Sequence, residues 1–110
     1  MGKHHLGELE EIVMLTAALL GSKAYGFGII EEIETRMKRS VSIGAMQTVL
    51  KRLEEKGYLE SEFGEATTSR GGRRRRYYHL TSTGISLLEE TQAQRMSLWK
   101  AVQKLGFNTH

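Results

Sequence analysis

Five arginines fall within seven residues, Arg70, Arg73, Arg74, Arg75 and Arg76. Each guanidinium presents a planar fork of N–H donors, so a cluster of this density matches an array of phosphate oxygens. The net charge of the 110-residue chain is only +3. Without the cluster, eleven basic residues face thirteen acidic ones, every one of them Glu. A mildly acidic body with one concentrated basic projection suggests polyanion binding through a single element. A second group is Gln47, Thr48 and Lys51, at i, i+1 and i+4, a spacing that puts all three on one helix face. Glutamine can pair bidentately with adenine, and lysine can meet phosphate. A solvated loop could carry the arginines, and an ordinary helix surface the second group. What favours DNA is that the two sets sit on adjoining elements.

Other chemistries find little support. There is no cysteine, which removes disulfides, thiolate metal sites and cysteine nucleophiles together,. His4 and His5 are adjacent near one end, His79 stands alone and His110 is the last residue. None is spaced with another His or a Glu as metal ligands are, so neither metal nor cofactor is expected. No nucleophile elbow or phosphate loop is visible, and Gly26 and Gly28 follow a helix rather than a strand. The chain reads as a non-enzyme. Its longest apolar run, 12–20, is broken by Thr16 and falls short of the roughly 18 residues a membrane helix needs,. With no signal-peptide pattern either, a cytoplasmic location without membrane contact is expected.

The elements that must position these residues follow from periodicity. Leu9, Ile12, Val13, Thr16, Leu19 and Leu20 recur at helical spacing and predict a helix over 7–20, its first turn loaded with Glu8, Glu10 and Glu11. A second helix is expected over 26–39, with Ile29, Ile30, Ile33 and Met37 on one face. Ser42 reads as the N-cap of a third, closed by Gly57 beyond its end. Its apolar stripe is Met46, Val49, Leu50 and Leu53, and its opposite face carries no acid. Alternation of Leu59, Ser61 and Phe63 against Glu60 and Glu62 then predicts a strand with one buried face. A polar loop over 64–72 leads to a returning strand over 74–80, so the arginines occupy the hairpin's tip and second strand. Thr81 caps a last helix to about residue 104, where Ile85, Leu88, Gln92, Arg95, Trp99 and Val102 form a heptad-like seam widened by Leu98 and Leu105.

Three helices followed by a hairpin is the winged-helix order. The pair Tyr25-Gly26, the run from Leu50-Lys51-Arg52-Leu53-Glu54-Glu55-Lys56 to Gly57-Tyr58-Leu59, and the stretch Gly72-Arg73-Arg74-Arg75-Arg76-Tyr77-Tyr78-His79-Leu80-Thr81-Ser82-Thr83-Gly84 resemble the PadR family of bacterial transcriptional regulators. The resemblance spans about residues 8–90, and a single C-terminal helix is similar to the family's smaller subgroup. It implies a dimeric repressor whose DNA binding is released by a small molecule. In some relatives an aromatic residue from each last helix faces a central cavity that takes flat hydrophobic compounds. Where the family usually carries a proline and then a tyrosine at the start of the third helix, this chain has Ile43 and Gln47.

The expected fold is mainly α with a small β-hairpin, a winged helix-turn-helix followed by a long C-terminal dimerisation helix. Residues 1–82 form the DNA-binding part and 83–110 the pairing helix of one compact unit. The expected DNA contacts are Ser42, Gly44, Gln47, Thr48, Lys51, Arg70, Arg73, Arg74, Arg75 and Tyr77. The expected subunit interface is Leu9, Val13, Leu88, Leu98, Trp99, Val102 and Leu105. Two readings fit Trp99, a packing residue of the seam or, with Gln92 and Arg95, the wall of a site for a planar aromatic effector. The expected partners are duplex DNA bearing an inverted repeat and a second copy of the chain. The rival is a winged-helix protein-interaction module without DNA binding.

Overall fold

Three glutamates crowd the first turn of α1 (Glu8–Leu20), where backbone N–H groups lack intrahelical partners and a negative charge is favoured,. One of them, Glu10, reaches back to accept the N–H of Gly7 at 2.8 Å. The computed structural model describes residues 6–64 and 74–106. A single 3-10 turn, Gly21–Lys23, redirects the chain into α2 (Gly26–Met37). This helix stops two residues short of the sequence expectation, because Lys38 adopts a left-handed conformation (φ 54°, ψ 40°) and closes its N–H on the Glu34 carbonyl. In α3 (Ile43–Glu55) the Ser42 hydroxyl accepts the N–H of Ala45 at 3.1 Å, the expected cap,. Gly57, at φ 82°, turns the chain out of the helix,.

Strands β1 (Leu59–Phe63) and β2 (Arg76–Leu80) pair antiparallel, with Leu59 opposite Leu80 and Phe63 opposite Arg76. The hairpin is fastened to the helices along β2. Tyr25 forms a β-bridge with Tyr77, and the N–H of Tyr78 donates to the Ala24 carbonyl at 2.8 Å. One expectation for β1 needs correction. Leu59 is buried and Ser61 half-buried, but Phe63 is 53% exposed, because the far end of a two-stranded sheet extends past the helices that could cover it.

The core lies where α1 crosses α2 and α3. Val13 and Met14 meet Ile29, Ile33, Met46, Leu50 and Leu53 in a fully buried cluster closed below by Leu59. Next comes α4 (Ser82–Lys104), started by Thr81, whose hydroxyl accepts the Gly84 N–H at 3.0 Å and donates to the Gly57 carbonyl at 2.6 Å. Gly84, Leu87 and Leu88 seat its first two turns in the core. Beyond them the helix leaves the body, and the molecule is 57 Å along its longest axis.

This layout revises the expected subunit interface. Val13 is fully buried and Leu88 is 7% exposed, so both are spent on the protomer's own core and neither offers surface to a second copy. Leu9 is half-buried against that core and Val102 is half-buried too. Leu98, Trp99 and Leu105 are 71%, 49% and 84% exposed. Leu15, Leu19, Ile85 and Met96, not among the expected interface residues, are exposed as well.

Candidate nucleic-acid interface

The outward face of α3 is built by subtraction. Met46, Val49, Leu50 and Leu53 point inward, which forces Gly44, Gln47, Thr48 and Lys51 outward, and all four are exposed, as is Ser42,. Thr48 donates its hydroxyl proton to the Gly44 carbonyl at 3.0 Å, leaving its methyl and oxygen lone pairs free. Gln47 and Lys51 make no hydrogen bond or ion pair within the described residues, so their polar ends are available to a partner. Glu54, near the end of α3, is already engaged. It accepts the Ser61 hydroxyl at 2.6 Å and lies 3.9 Å from Arg76.

On the hairpin the aromatic residues work as supports for the arginines. The Arg75 guanidinium sits over the Tyr25 ring, 4.0 Å from its centroid, and that of Arg76 lies 4.6 Å from the Phe63 centroid. Arg74 approaches Phe63 more distantly and donates from Nε to the Gly64 carbonyl at 3.0 Å. Stacking of this kind is worth about 0.5–2 kcal/mol per pair and restrains a long side chain while leaving N–H groups free. Nε of Arg75 is buried and has no hydrogen-bond partner within the described residues. Tyr77 is half-buried, its ring edge-on to Tyr25 at 5.7 Å, which makes it a packing residue of the hairpin in the protomer. Tyr78 faces the core, and burial raises its phenol above the ordinary value despite the nearby charge of Arg76. Arg70 and Arg73 lie outside the described residues.

The two surfaces share one groove. Gln47 and Ile43 of α3 line it from one side, Arg74, Arg75 and Arg76 from the other, with Tyr25 and Phe27 at its end. Its volume is about 190 Å³. Sequence reasoning missed Phe27, which is 64% exposed at the start of α2, and missed Tyr25 as the platform for Arg75. An aromatic flanked by Gly26 and Gly28 outside the apolar stripe of α2 was the available signal for Phe27. The Tyr25-Gly26 pair belongs to the family resemblance, but nothing local pointed to Tyr25 as a platform, since its partner is fifty residues away.

The residues expected to hold an effector are distributed differently. Gln92 and Arg95 both bind Glu11 of α1. Nε2 of Gln92 donates at 2.6 Å, and Arg95 donates from Nε at 3.1 Å and from Nη2 at 2.7 Å. Trp99 lies one turn further along α4. A separate apolar cavity of about 630 Å³ runs between the second half of α1 and the start of α4, lined by Leu15, Ala18, Leu80, Ile85 and Leu88. Gln92 reaches its rim, whereas Arg95 and Trp99 do not line it. Among the described residues no cluster of His and Glu is placed to hold a metal ion, and no helix is long and apolar enough to cross a membrane.

Comparison with known proteins gives this arrangement a family. The model of the transcriptional regulator PadR-like family matches residues 15–90. A PadR-like transcription factor from Bacteroides fragilis is 31% identical and superposes with a TM-score of 0.73 over 88% of each chain. A PadR family transcription regulator from Clostridium difficile is 27% identical, with a TM-score of 0.69 over 86% of this chain and 96% of that one. An uncharacterised protein of Lysinibacillus sphaericus is 33% identical over 86 residues, 76% of this chain and 74% of its own. The family match runs from Leu15 in α1 to Glu90 in the third turn of α4, and so includes the capped α3, the arginine hairpin and the start of the helix that follows it. The chain is a member of the PadR-like family of transcriptional regulators.

Proposed function

We propose that this regulator is a dimeric repressor that binds an inverted-repeat operator and responds to a small aromatic or hydrophobic effector. The observation that carries the DNA-binding geometry is the groove between α3 and the hairpin, where Ile43 and Gln47 stand opposite three arginines. Helix α3 enters the major groove, with Gln47 and Thr48 at base edges and Lys51, Ser42 and the backbone at Gly44 near phosphates. The arginines, together with Arg70 and Arg73, clamp flanking phosphates, and Tyr77 presents its hydroxyl beside them. Residues 1–82 form the reading part. Helix α4 pairs the subunits through Leu98, Trp99, Val102 and Leu105, with Leu9 alongside. A monomer would leave Leu98, Trp99 and Leu105 exposed along α4, and Leu15, Leu19 and Ile85 exposed on the body, where Leu15 and Ile85 line the 630 Å³ cavity,. A two-fold dimer places two reading helices about 34 Å apart, one turn of duplex.

The test is binding to the DNA directly upstream of the chain's own gene, measured at several salt concentrations. Every phosphate that an arginine no longer neutralises should lower the slope of log affinity against log salt by about 0.9. Arg73→Ala, Arg74→Ala and Arg75→Ala combined are expected to lower the slope and weaken all duplexes alike. An unchanged slope removes the hairpin from the interface. Absence of salt-dependent binding in the parent chain favours the protein-interaction module instead.

A further inference from the structure

Consecutive residues of α1 hold two different elements. Glu10 accepts Nζ of Lys56, at the C-cap of α3, at 2.9 Å. Glu11, buried to 7% exposure, accepts three hydrogen bonds from α4, two of them the parallel fork of Arg95 and the third the amide of Gln92. A buried carboxylate is costly unless its lone pairs are filled, and here the filling groups all come from one neighbouring helix.

Its position along α4 gives it leverage. The apolar seat of the helix ends at Leu88, and after Arg95 every described side chain except Val102 is exposed. Arg95 lies eleven residues past Gly84, about 16 Å along the axis at 1.5 Å per residue. The clamp therefore stands between the apolar seat of α4 and the half that carries Leu98, Trp99 and Leu105. Through Glu10 and Lys56, the same turn of α1 is tied to the end of the reading helix.

Resting on the dimeric reading above, we propose that Glu11 is the positioning residue that fixes the separation of the two reading helices, and with it the half-site spacing the regulator accepts. If α4 pairs the subunits, its exit angle places each α3 relative to the two-fold axis. A tilt of about 10° moves a helix lying about 17 Å from that axis by about 3 Å, close to the rise of one base pair. An α1–α4 contact made of apolar groups alone would permit such a tilt at little cost. A bidentate guanidinium fork would not, because its two parallel bonds fix direction as well as distance.

The absence of cysteine allows a single labelling site, and Glu55→Cys places a nitroxide on the exposed end of α3. Pulsed dipolar spectroscopy on the labelled full chain then reads the distance between the two α3 helices directly. With Glu11 present, one narrow distance distribution is expected. Glu11→Gln should widen it at least twofold. Arg95→Met, which removes the fork from an exposed stem and leaves the core untouched, should do the same and covers the case in which Glu11→Gln fails to fold. In unlabelled protein, either change should bring affinities for upstream duplexes with one base pair inserted or deleted between half-sites to within about threefold of the parent duplex. A distribution of unchanged width and centre in both variants overturns the positioning role and leaves the dimer standing. Absence of any dipolar signal in the labelled parent overturns the dimer and the positioning role together.

Discussion

The α-carbon of Gly84 lies directly over the carbonyl of Tyr58. A β-carbon there would collide with the carbonyl oxygen and crowd the carbonyl carbon at 3.1 Å and the Tyr58 α-carbon at 3.2 Å. The obstacle is backbone and cannot rotate away. That same carbonyl accepts the N–H of Thr81 at 3.0 Å, so the strand end and the first turn of α4 are locked in one place. Gly84→Ala is therefore expected to cost about 2 kcal/mol or more, since overpacking against fixed atoms displaces the helix. Thr81→Ala, which removes the cap and the hydroxyl's bond to the Gly57 carbonyl, should cost about 1–1.5 kcal/mol,. Urea unfolding of the two variants checks the order, and equal costs would mean that α4 can shift freely over Tyr58.

Lys38 offers the opposite case. It is the only non-glycine residue with positive φ among those described. The left-handed conformation costs a side-chain-bearing residue about 1–2 kcal/mol, part of which glycine returns through greater freedom in the unfolded chain. Lys38→Gly should therefore stabilise the protein by about 0.5–1 kcal/mol, read as a higher urea midpoint at unchanged slope.

These two positions mark the limits of what the sequence discloses. Ser42, Gly57 and Thr81 act where local chemistry says they should, and the helices and strands lie within a few residues of expectation, because caps and periodicity are local properties. Lys38 ends α2 early without any breaker residue to announce it. The residues expected at a subunit interface divide for a similar reason. Apolar spacing placed Leu88 and Leu98 in one seam, but only the packing of α4 on α1 decides that the first is core and the second surface. The groove was legible in its polar parts, Gln47 and the arginines. Its aromatic supports were not, since the Tyr25–Arg75 stack joins residues far apart in the chain.

Glu10 ties stability to pH with a definite sign. Burial by itself pushes its carboxyl upward. The Gly7 N–H, the hydrogen bond and charge of Lys56 and the charge of Arg52 together outweigh that and hold it below the ordinary 4.5. A folded-state value lowered in this way adds stability that is fully present above 4.5 and is lost as the pH falls through the folded value,. Glu10→Gln should therefore lower stability at neutral pH by about 1.5 kcal/mol and flatten the decline on acidification. An acid limb as steep as the parent's would assign it to other carboxylates.

Sequence reading should separate Gln47 from Lys51. Both are exposed and unengaged on the same face of α3, but an amide can pair with a base edge and an ammonium meets mainly charge. Gln47→Ala is expected to relax preference at one base pair by about 1–3 kcal/mol, with little change on random duplex. Lys51→Ala should weaken specific and random duplexes by one common factor. Competition binding against a library of single base-pair changes distinguishes the two, and equal losses for Gln47→Ala on all duplexes would remove it from base reading.

Trp99 supplies the last test, because it is the only tryptophan in the chain and its emission reports one place. At 49% exposure in the protomer its ring has an uncovered face, four residues beyond the arginine that grips Glu11. Two such faces brought together across a dimer axis would bound a flat space, and a planar aromatic compound entering it would stack on both, with added attraction if it is cationic. Titration with a panel of planar dyes should therefore quench Trp99 saturably at micromolar concentration. Because coupling between sites is reciprocal, saturating operator should change the dye's affinity by the same factor as the dye changes the operator's. Ligand entering only the cavity bounded by Leu15 and Ile85 would give a different pattern. Ile85→Trp would then report binding while Trp99 stayed silent, placing the effector on the body of the protein and leaving Trp99 to the packing of α4.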